Sequence, residues 1–273
     1  MQRIAIMGTI ILAVTACDAA PSEPAAPPAT QAIASATPAP AVPTPSPAPA
    51  GAARTVEVEN ALFDFNYSYP APVGAIPGLK ALLDGRLDKD RAELEATARK
   101  DQAEAAKDGY PYRAHSSGTK WQVVTDLPRW LSLSAEMYEY SGGAHGMTFF
   151  DSLLWDREAG VSHAPADLFT SKAALSRVLR EPFCAALDKE RAKRRGEPVN
   201  RNSGDQFDEC IDPVESTLIL GSSNGRTFDK IGVLVAPYAA GSYAEGTFDL
   251  TLPVTQAVLA AVKPEFRDAF SAR

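Results

Sequence analysis

The sequence contains few of the residues that most often bind metals or act as nucleophiles. Among its 273 residues there are three cysteines and three histidines, and the histidines are His115, His145 and His163. No two of them have the H-x-x-x-H spacing that places two imidazoles on one helix face. A zinc site that combines them with Asp151 or Asp167 has no motif to support it. We therefore predict neither a metal ion nor a cofactor.

A basic stripe is also missing. Asp and Glu together number 34 against 27 for Lys and Arg, a balance that argues against a nucleic-acid partner. The one dense basic segment, KERAKRR at residues 189–195, lies where a helix is expected to end. Cations at that end are favoured by the helix dipole, so we prefer this interpretation to a binding patch for anionic envelope material.

No apolar run is long enough to cross a membrane as a helix. The longest, residues 4–14, has eleven residues, whereas a transmembrane helix needs roughly 20. It follows Arg3 and precedes Val14-Thr15-Ala16-Cys17, the pattern of a bacterial lipoprotein signal peptide. We expect residues 1–16 to be removed and Cys17 to be lipidated, with an ordinary cleaved signal peptide as the alternative. The expected location is the cell envelope, facing the periplasm; Asp18 alone does not decide between the inner and the outer membrane.

If Cys17 carries the lipid anchor, Cys184 and Cys210 remain as a pair. Disulfides persist outside the cytoplasm, so we predict that these two cysteines are bonded. Two buried free thiols are the alternative.

The segment after Cys17 has the composition of a disordered tether. Residues 18–53 are mostly Ala, Pro, Ser and Thr, with ten prolines, no aromatic residue and no lysine or arginine. Such a segment cannot bury enough apolar surface to offset the entropy lost on ordering. We therefore predict a tether over residues 17–53 and a folded region that begins at Arg54.

Periodicity beyond Arg54 predicts a mixture of strands and helices. Strands are expected at residues 55–69 with a phase slip near Asn60, and at 119–125, 129–140, 147–155, 217–220, 227–235 and 246–252. Helices are expected at 79–107, as one helix or two, at 171–193 with an interruption or restart at Pro182, and near the end of the chain. Short polar links between the strands favour antiparallel meanders with helices packed on them, an α+β fold.

Two further patterns resemble functional sites, but a turn and the hydrophobic core explain them better. The sequence GSSNG at residues 221–225 matches a nucleophile elbow, but strand-like residues follow it and no histidine lies after it. A hairpin turn is the preferred interpretation. The aromatic residues Phe63, Phe65, Tyr67, Tyr69, Trp121 and Trp130 could stack on sugars, but their strand spacing favours the core.

The segment YSGGAHG at residues 140–146 is the main candidate for a functional loop. Gly142, Gly143 and Gly146 allow a tight link between two strands. His145 is then a hydrogen-bonding brace or, together with Ser141, part of a recognition surface. Catalysis by His145 with Asp151 is the third interpretation.

This loop also carries a family resemblance. With the hairpin that follows it, Asp167-Leu168-Phe169 and the segment APYAAG at residues 236–241, it resembles the extracellular region of RsiV-type anti-sigma factors, which is also found in PdaC-type peptidoglycan deacetylases. Residues 54–140 resemble the N-terminal module of that region, and residues 141–273 resemble its C-terminal part. The resemblance implies a binding module, because the region in the anti-sigma factors recognises lysozyme. The deacetylase motif is incomplete, since Thr227-Phe228-Asp229-Lys230 lacks the second aspartate of T-F-D-D.

The sequence therefore predicts a lipid-anchored envelope protein with a non-catalytic binding module for a lysozyme-like hydrolase or peptidoglycan. A cell-wall glycan hydrolase or deacetylase and a passive periplasmic assembly factor remain as alternatives.

Overall fold

The computed structural model describes residues 51–273. Cys17, the predicted signal peptide and residues 17–50 of the predicted tether lie outside these residues. The described residues belong to one compact unit, and the predicted α+β class is confirmed. None of the helices within residues 51–273 is both long and apolar enough to span a membrane.

The helices and strands follow one another in a mixed order. They are β1 (Arg54–Glu59), β2 (Phe63–Tyr69), α1 (Ala71–Gly74), α2 (Pro77–Asp108), β3 (His115–Asp126), β4 (Trp130–Tyr140), β5 (Met147–Asp156), β6 (Val161–His163), α3 (Lys172–Arg195), β7 (Thr217–Gly221), β8 (Lys230–Val235), β9 (Phe248–Pro253) and α4 (Gln256–Ala261). In the described part of the chain the strands form a six-stranded sheet in the order β1-β2-β3-β4-β5-β6 and a three-stranded sheet in the order β7-β8-β9.

The first sheet starts with a hairpin where the sequence predicted a single strand over residues 55–69. β1 and β2 pair antiparallel, and Asn60 forms the turn because its side-chain oxygen accepts the N–H groups of Leu62 and Phe63. The break in the alternating pattern near Asn60 therefore corresponds to a turn between two strands. β2 then pairs parallel to β3, a pairing that requires the long crossover through α2.

Helix α2 is one continuous helix that covers one face of the first sheet. Leu79, Leu83 and Leu87 recur every four residues and are fully buried. They pack in a core with the aromatic residues of β2 and with Leu131, Leu133 and Ala135 of β4. The helix ends at Gly109, whose φ of 77° is the left-handed conformation that favours glycine at this position.

The opposite face of the first sheet meets a second core. Trp130 of β4 and Leu154 of β5 belong to the cluster formed by α3, the second sheet and α4. The aromatic residues that the sequence assigned to the core are thus buried, with Trp130 at 2% exposure and Trp121 at 4%. β5 and β6, which lie within residues 141–273, belong to the first sheet.

Helix α3 begins close to the predicted residue 171, because Ser171 caps it by accepting the N–H of Ala174. The predicted interruption at Pro182 is wrong, because the helix continues through it to Arg195. Pro182 is exposed, whereas Leu179, Phe183 and Leu187 on the inner face are buried. Their burial holds the helix together across the missing hydrogen bond. The predicted disulfide between Cys184 and Cys210 is present.

The link between β7 and β8 is longer than predicted. β8 begins at Lys230 rather than at Thr227, and residues 222–229 form a loop. Within the loop, Asn224 accepts the N–H groups of Arg226 and Thr227. A strand follows, so the GSSNG segment is a turn without the geometry of a nucleophile elbow.

Candidate functional site

The YSGGAHG segment forms the link between β4 and β5. Gly142 and Gly143 have φ values of 97° and 92°, so both need the conformational freedom of glycine. Gly146 has a different requirement, since a Cβ at this position would lie 2.3 Å from the ring of Tyr138. Arg113 donates a hydrogen bond to the carbonyl of Gly143 at 2.8 Å. The glycines thus let the loop turn tightly and pass close to a tyrosine.

His145 lies between two tyrosines from a distant part of the chain. Its Nε2 is 3.3 Å from the hydroxyl of Tyr238, and its ring stacks on that of Tyr243 with centroids 3.8 Å apart. Tyr243 also donates a hydrogen bond to the carbonyl of Gly146 at 3.0 Å. We call His145, Tyr238 and Tyr243 the aromatic cap. It joins the β4–β5 loop to the loop between β8 and β9.

The aromatic cap is exposed, and its backbone is strained at Tyr238. The exposed fractions of Tyr238 and Tyr243 are 47% and 37%. Tyr238 has a φ of 66° and is the one non-glycine residue with positive φ in residues 51–273. An aromatic residue held in this region of φ is uncommon, and such strain occurs preferentially at functional sites.

A groove of about 360 Å³ lies beside the aromatic cap, between α2 and the ends of β3 and β4. We call it the acidic groove. Its lining includes Asp90, Glu93, His115, Glu139, Ser141 and His145. A second depression continues past the loop and shares His115, Ser141 and Gly142 with the groove.

The carboxylates of the groove are the charges available to a ligand. Among residues 51–273, no lysine or arginine forms an ion pair with Asp90 or Glu139, and Glu93 has only a solvent-exposed contact with Lys89 at 3.7 Å. Burial, followed by the nearby charge of Glu93, raises the pKa of the Asp90 carboxyl. The groove is therefore a negatively charged, partly desolvated surface.

The three histidines do not form one cluster, since His115 and His145 both line the acidic groove and His163 does not. His115 is buried at the start of β3, with its Nε2 3.4 Å from Asp101, and His163 packs on Trp130 and Phe266. Asp167 accepts the N–H of Ala164. Within the described residues there is no group of three His, Cys, Asp or Glu side chains that could hold a metal ion.

The structure also separates the proposed acid/base pair. Asp151 on β5 pairs with Arg86 at 2.8 Å and accepts the N–H of Ser152, whereas His145 contacts the tyrosines of the aromatic cap. Sequence reasoning missed the roles of Asp90, Glu93 and Tyr243. Only their positions in the fold, in the acidic groove and against the β4–β5 loop, distinguish them from other acidic and aromatic residues.

Part of the chain matches a protein-family model. Residues 56–148 match the family model described as deacetylase PdaC. This PdaC-like region runs from β1 into β5 and includes most residues that line the acidic groove and the whole β4–β5 loop. The match confirms the PdaC-type resemblance for that region, while the resemblance to RsiV-type anti-sigma factors stays a prediction. No curated protein matches the chain.

Two solved structures are similar to this chain. A member of the DUF3298 family from Bacteroides fragilis is 18% identical with a TM-score of 0.43, covering 74% of this chain and 90% of that one. A DUF3298 family protein from Pseudomonas aeruginosa is 16% identical with the same TM-score, covering 83% of this chain and 99% of that one. Both scores are below 0.5, and we draw no conclusion from them.

Proposed function

We propose that the protein is a lipid-anchored cell-envelope binding module that recognises a basic, lysozyme-like hydrolase without catalysing a reaction. The observation that carries the proposal is the acidic groove, whose carboxylates Asp90 and Glu139 form no ion pair with a lysine or arginine among residues 51–273, although the charges of Lys89 and Arg86 act on Asp90 from a distance. A basic protein supplies the complementary charge.

The aromatic cap supports a protein partner as well. Tyrosine is enriched at the centres of protein interfaces because its ring buries a large area and its hydroxyl still forms hydrogen bonds. A lysine or arginine of the partner could also lie over an exposed ring of Tyr238 or Tyr243, beside the carboxylates of the groove. Charge and aromatic surface therefore meet at one place.

The binding proposal is tested by titrating a purified basic lysozyme into the protein in a calorimeter. The double variant Asp90→Asn/Glu93→Gln should bind more weakly, by about 0.5–1 kcal/mol for each carboxylate, which is about a 2- to 5-fold rise in Kd per residue. The control is Asp249→Asn, an exposed carboxylate on β9 away from the groove. Failure of the unchanged protein to bind, or an equal loss in the control, would argue against the proposal.

Peptidoglycan is the second candidate ligand, and the exposed tyrosines favour it. Sugar rings can stack on Tyr238 and Tyr243, whose exposed faces lie next to the polar groove. Soluble wall glycan fragments without peptide distinguish the two ligands, because they carry no positive charge and their binding should not weaken in the Asp90→Asn/Glu93→Gln variant. Release of shortened or deacetylated fragments in the same mixtures would contradict a non-catalytic role.

The lipid anchor is tested by itself. Replacing Cys17 by Ala should abolish the incorporation of a labelled fatty acid into the protein, because a lipid-modified cysteine can no longer form. Incorporation of the label that survives Cys17→Ala would contradict lipidation at this residue.

A further inference from the structure

Two arginines of the basic run at residues 189–195, at the end of α3, are buried against other parts of the protein. The sequence assigned this run to the helix dipole and solvation, but Arg191 is fully buried and Arg195 is largely buried. Arg194 bonds the carbonyls of Glu245 and Thr247, and its guanidinium lies 3.9 Å from the ring centroid of Phe248. These arginines therefore connect α3 to loops that are distant in sequence.

Arg191 links two of those loops. Its Nε donates to the carbonyl of Ala240 at 2.7 Å, and its Nη1 donates to the carbonyl of Glu209 at 2.9 Å. Ala240 lies between the two tyrosines of the aromatic cap in sequence. One buried guanidinium thus fastens the segment that carries Tyr238 and Tyr243 to the segment before Cys210.

Arg195, one helical turn farther along α3, repeats this arrangement. It forms a two-pronged contact with the carboxylate of Glu245 and also pairs with Asp208 at 2.5 Å. The hydrogen bond with Glu245 is the main reason that the pKa of Arg195 is raised. Although burial opposes it, the hydrogen bonds from Arg195 and Ser242 hold the pKa of Glu245 below its usual range. Arg195 and Glu245 are therefore both charged at neutral pH, and their ion pair holds the loop two residues beyond Tyr243.

Residues 207–209, which both arginines contact, lie next to the disulfide in sequence. Asp208 and Glu209 immediately precede Cys210, which is bonded to Cys184 earlier on α3. A shallow depression lined by Arg177, Arg180, Cys184 and Arg201 lies over this end of the bond. The disulfide therefore borders solvent and holds the carbonyl and carboxylate groups that Arg191 and Arg195 contact.

We propose that Arg191 and Arg195 are positioning residues for the aromatic cap, and that reduction of the Cys184–Cys210 disulfide loosens the cap. The contacts run from the disulfide through residues 207–210 to the two arginines, then to Ala240 and Glu245, and then to Tyr243 and His145. A dithiol reductant supplies two electrons and two protons, so that both cysteines become thiols and the dithiol becomes a disulfide. The inference rests on the proposed function, because it concerns regulation of the same site.

The test compares four samples at a temperature where all are folded: the oxidised protein, the protein reduced with dithiothreitol, oxidised Arg195→Gln, and the control Arg177→Gln. Arg177 is an exposed arginine on the same helix, and it has no hydrogen bond or ion pair with any residue of the described part of the chain. NMR of the His145 ring and amide exchange at residues 141–146 report on the cap directly. Affinity for a basic lysozyme reports on binding.

In the reduced protein and in Arg195→Gln, we expect the His145 ring signals to shift and amide protection at residues 141–146 to fall. Lysozyme affinity should fall about 5- to 10-fold, within the usual range of coupling between sites, and Arg177→Gln should resemble the oxidised protein. If Arg195→Gln does not fold, Arg195→Lys takes its place, because it keeps the charge without the two-pronged contact.

Unchanged His145 signals and unchanged protection in both the reduced protein and the Arg195 variant would overturn the inference. The His145 signals also distinguish a failure of this inference from a failure of the proposed function. A shifted His145 signal in a protein that never binds lysozyme would support the positioning role and contradict the proposed ligand.

Discussion

Gly146 is the residue of the β4–β5 loop with the tightest surroundings. In Gly146→Ala the new Cβ would meet the ring of Tyr138 at 2.3 Å. Because Tyr138 or the loop must then move, we expect the free energy of unfolding to fall by about 1–3 kcal/mol. Urea unfolding followed by circular dichroism measures this change.

Gly85 provides the matched control for that substitution. It lies on the exposed side of α2, and a Cβ there would have no neighbour within 4 Å. Gly85→Ala should therefore stabilise the protein by about 0.5–1 kcal/mol, because alanine has the higher helix propensity. A loss of stability in Gly85→Ala equal to that in Gly146→Ala would show that the close contact with Tyr138 is not the cause.

Asp156 makes the stability of the fold depend on pH. It is 1% exposed, pairs with Arg129 at 2.7 Å and accepts the N–H groups of Glu158 and Ala159. Although burial raises the pKa of this carboxyl, these bonds outweigh burial and lower it. Its contribution to stability is therefore present above its unfolded-state pKa of about 3.9 and is lost as the pH falls through the lower folded-state pKa.

Replacing Asp156 by Asn should reduce the free energy of unfolding by about 2 kcal/mol near neutral pH. The difference from the unchanged protein should shrink as the pH falls below about 4, because both side chains are then uncharged. Urea unfolding at a series of pH values measures the difference. A gap that stays constant down to the lowest pH at which both proteins fold would contradict this role of the Asp156 charge.

His145 shows what could be predicted at the scale of single residues. The glycines around it were enough to predict a tight link between strands, because positive φ and close approach are local requirements. Its partner Tyr238 is 93 residues away, and no spacing rule connects the two positions. The loop could thus be found from sequence, whereas the aromatic cap and the groove required the fold.

At the scale of elements, local signals worked where packing and propensity agreed. A helix was expected over residues 79–107, and α2 occupies Pro77–Asp108 with leucines at four-residue intervals on its buried side. Prediction failed at Asn60, where two strands of like pattern were merged, and at Pro182. There the burial of neighbouring residues, which is not visible in the local sequence, outweighs the cost of a proline within a helix.

The disulfide is a constraint at this same scale, because it joins α3 to the loop that precedes β7. It closes a loop of 26 residues, and removing it in Cys184→Ser/Cys210→Ser should lower the free energy of unfolding by about 3 kcal/mol. Thermal unfolding with and without reductant provides the measurement. The double variant should no longer respond to reductant, and an unchanged melting temperature in the variant would show that the bond does not stabilise the fold.

At the scale of the whole described region, residues 51–273 are organised around a sheet that is covered on both faces. α2 packs against one face, while Trp130 and Leu154 join the other face to the core of α3 and the second sheet. This arrangement brings the loops after β4 and β8 together at the aromatic cap. Alternating hydrophobicity predicts that a strand has two faces, but it does not show which distant element covers each one. The position of the site is for this reason a property of the tertiary fold.

The charge of the whole molecule leads to a last prediction, on ionic strength. The chain has a formal net charge of −7, and the acidic groove adds a local concentration of that charge next to the cap. The proposed attraction between the groove and a basic lysozyme should therefore be screened as the Debye length shortens from about 30 Å at 0.01 M salt to about 10 Å at 0.1 M. The association rate constant, measured by stopped-flow fluorescence, should fall steeply over this range, while the dissociation rate constant changes little.

The salt dependence should be weaker for Asp90→Asn/Glu93→Gln than for Asp249→Asn, because only the former removes charge from the groove. Equal salt dependence in the two variants would place the contact with lysozyme outside the groove.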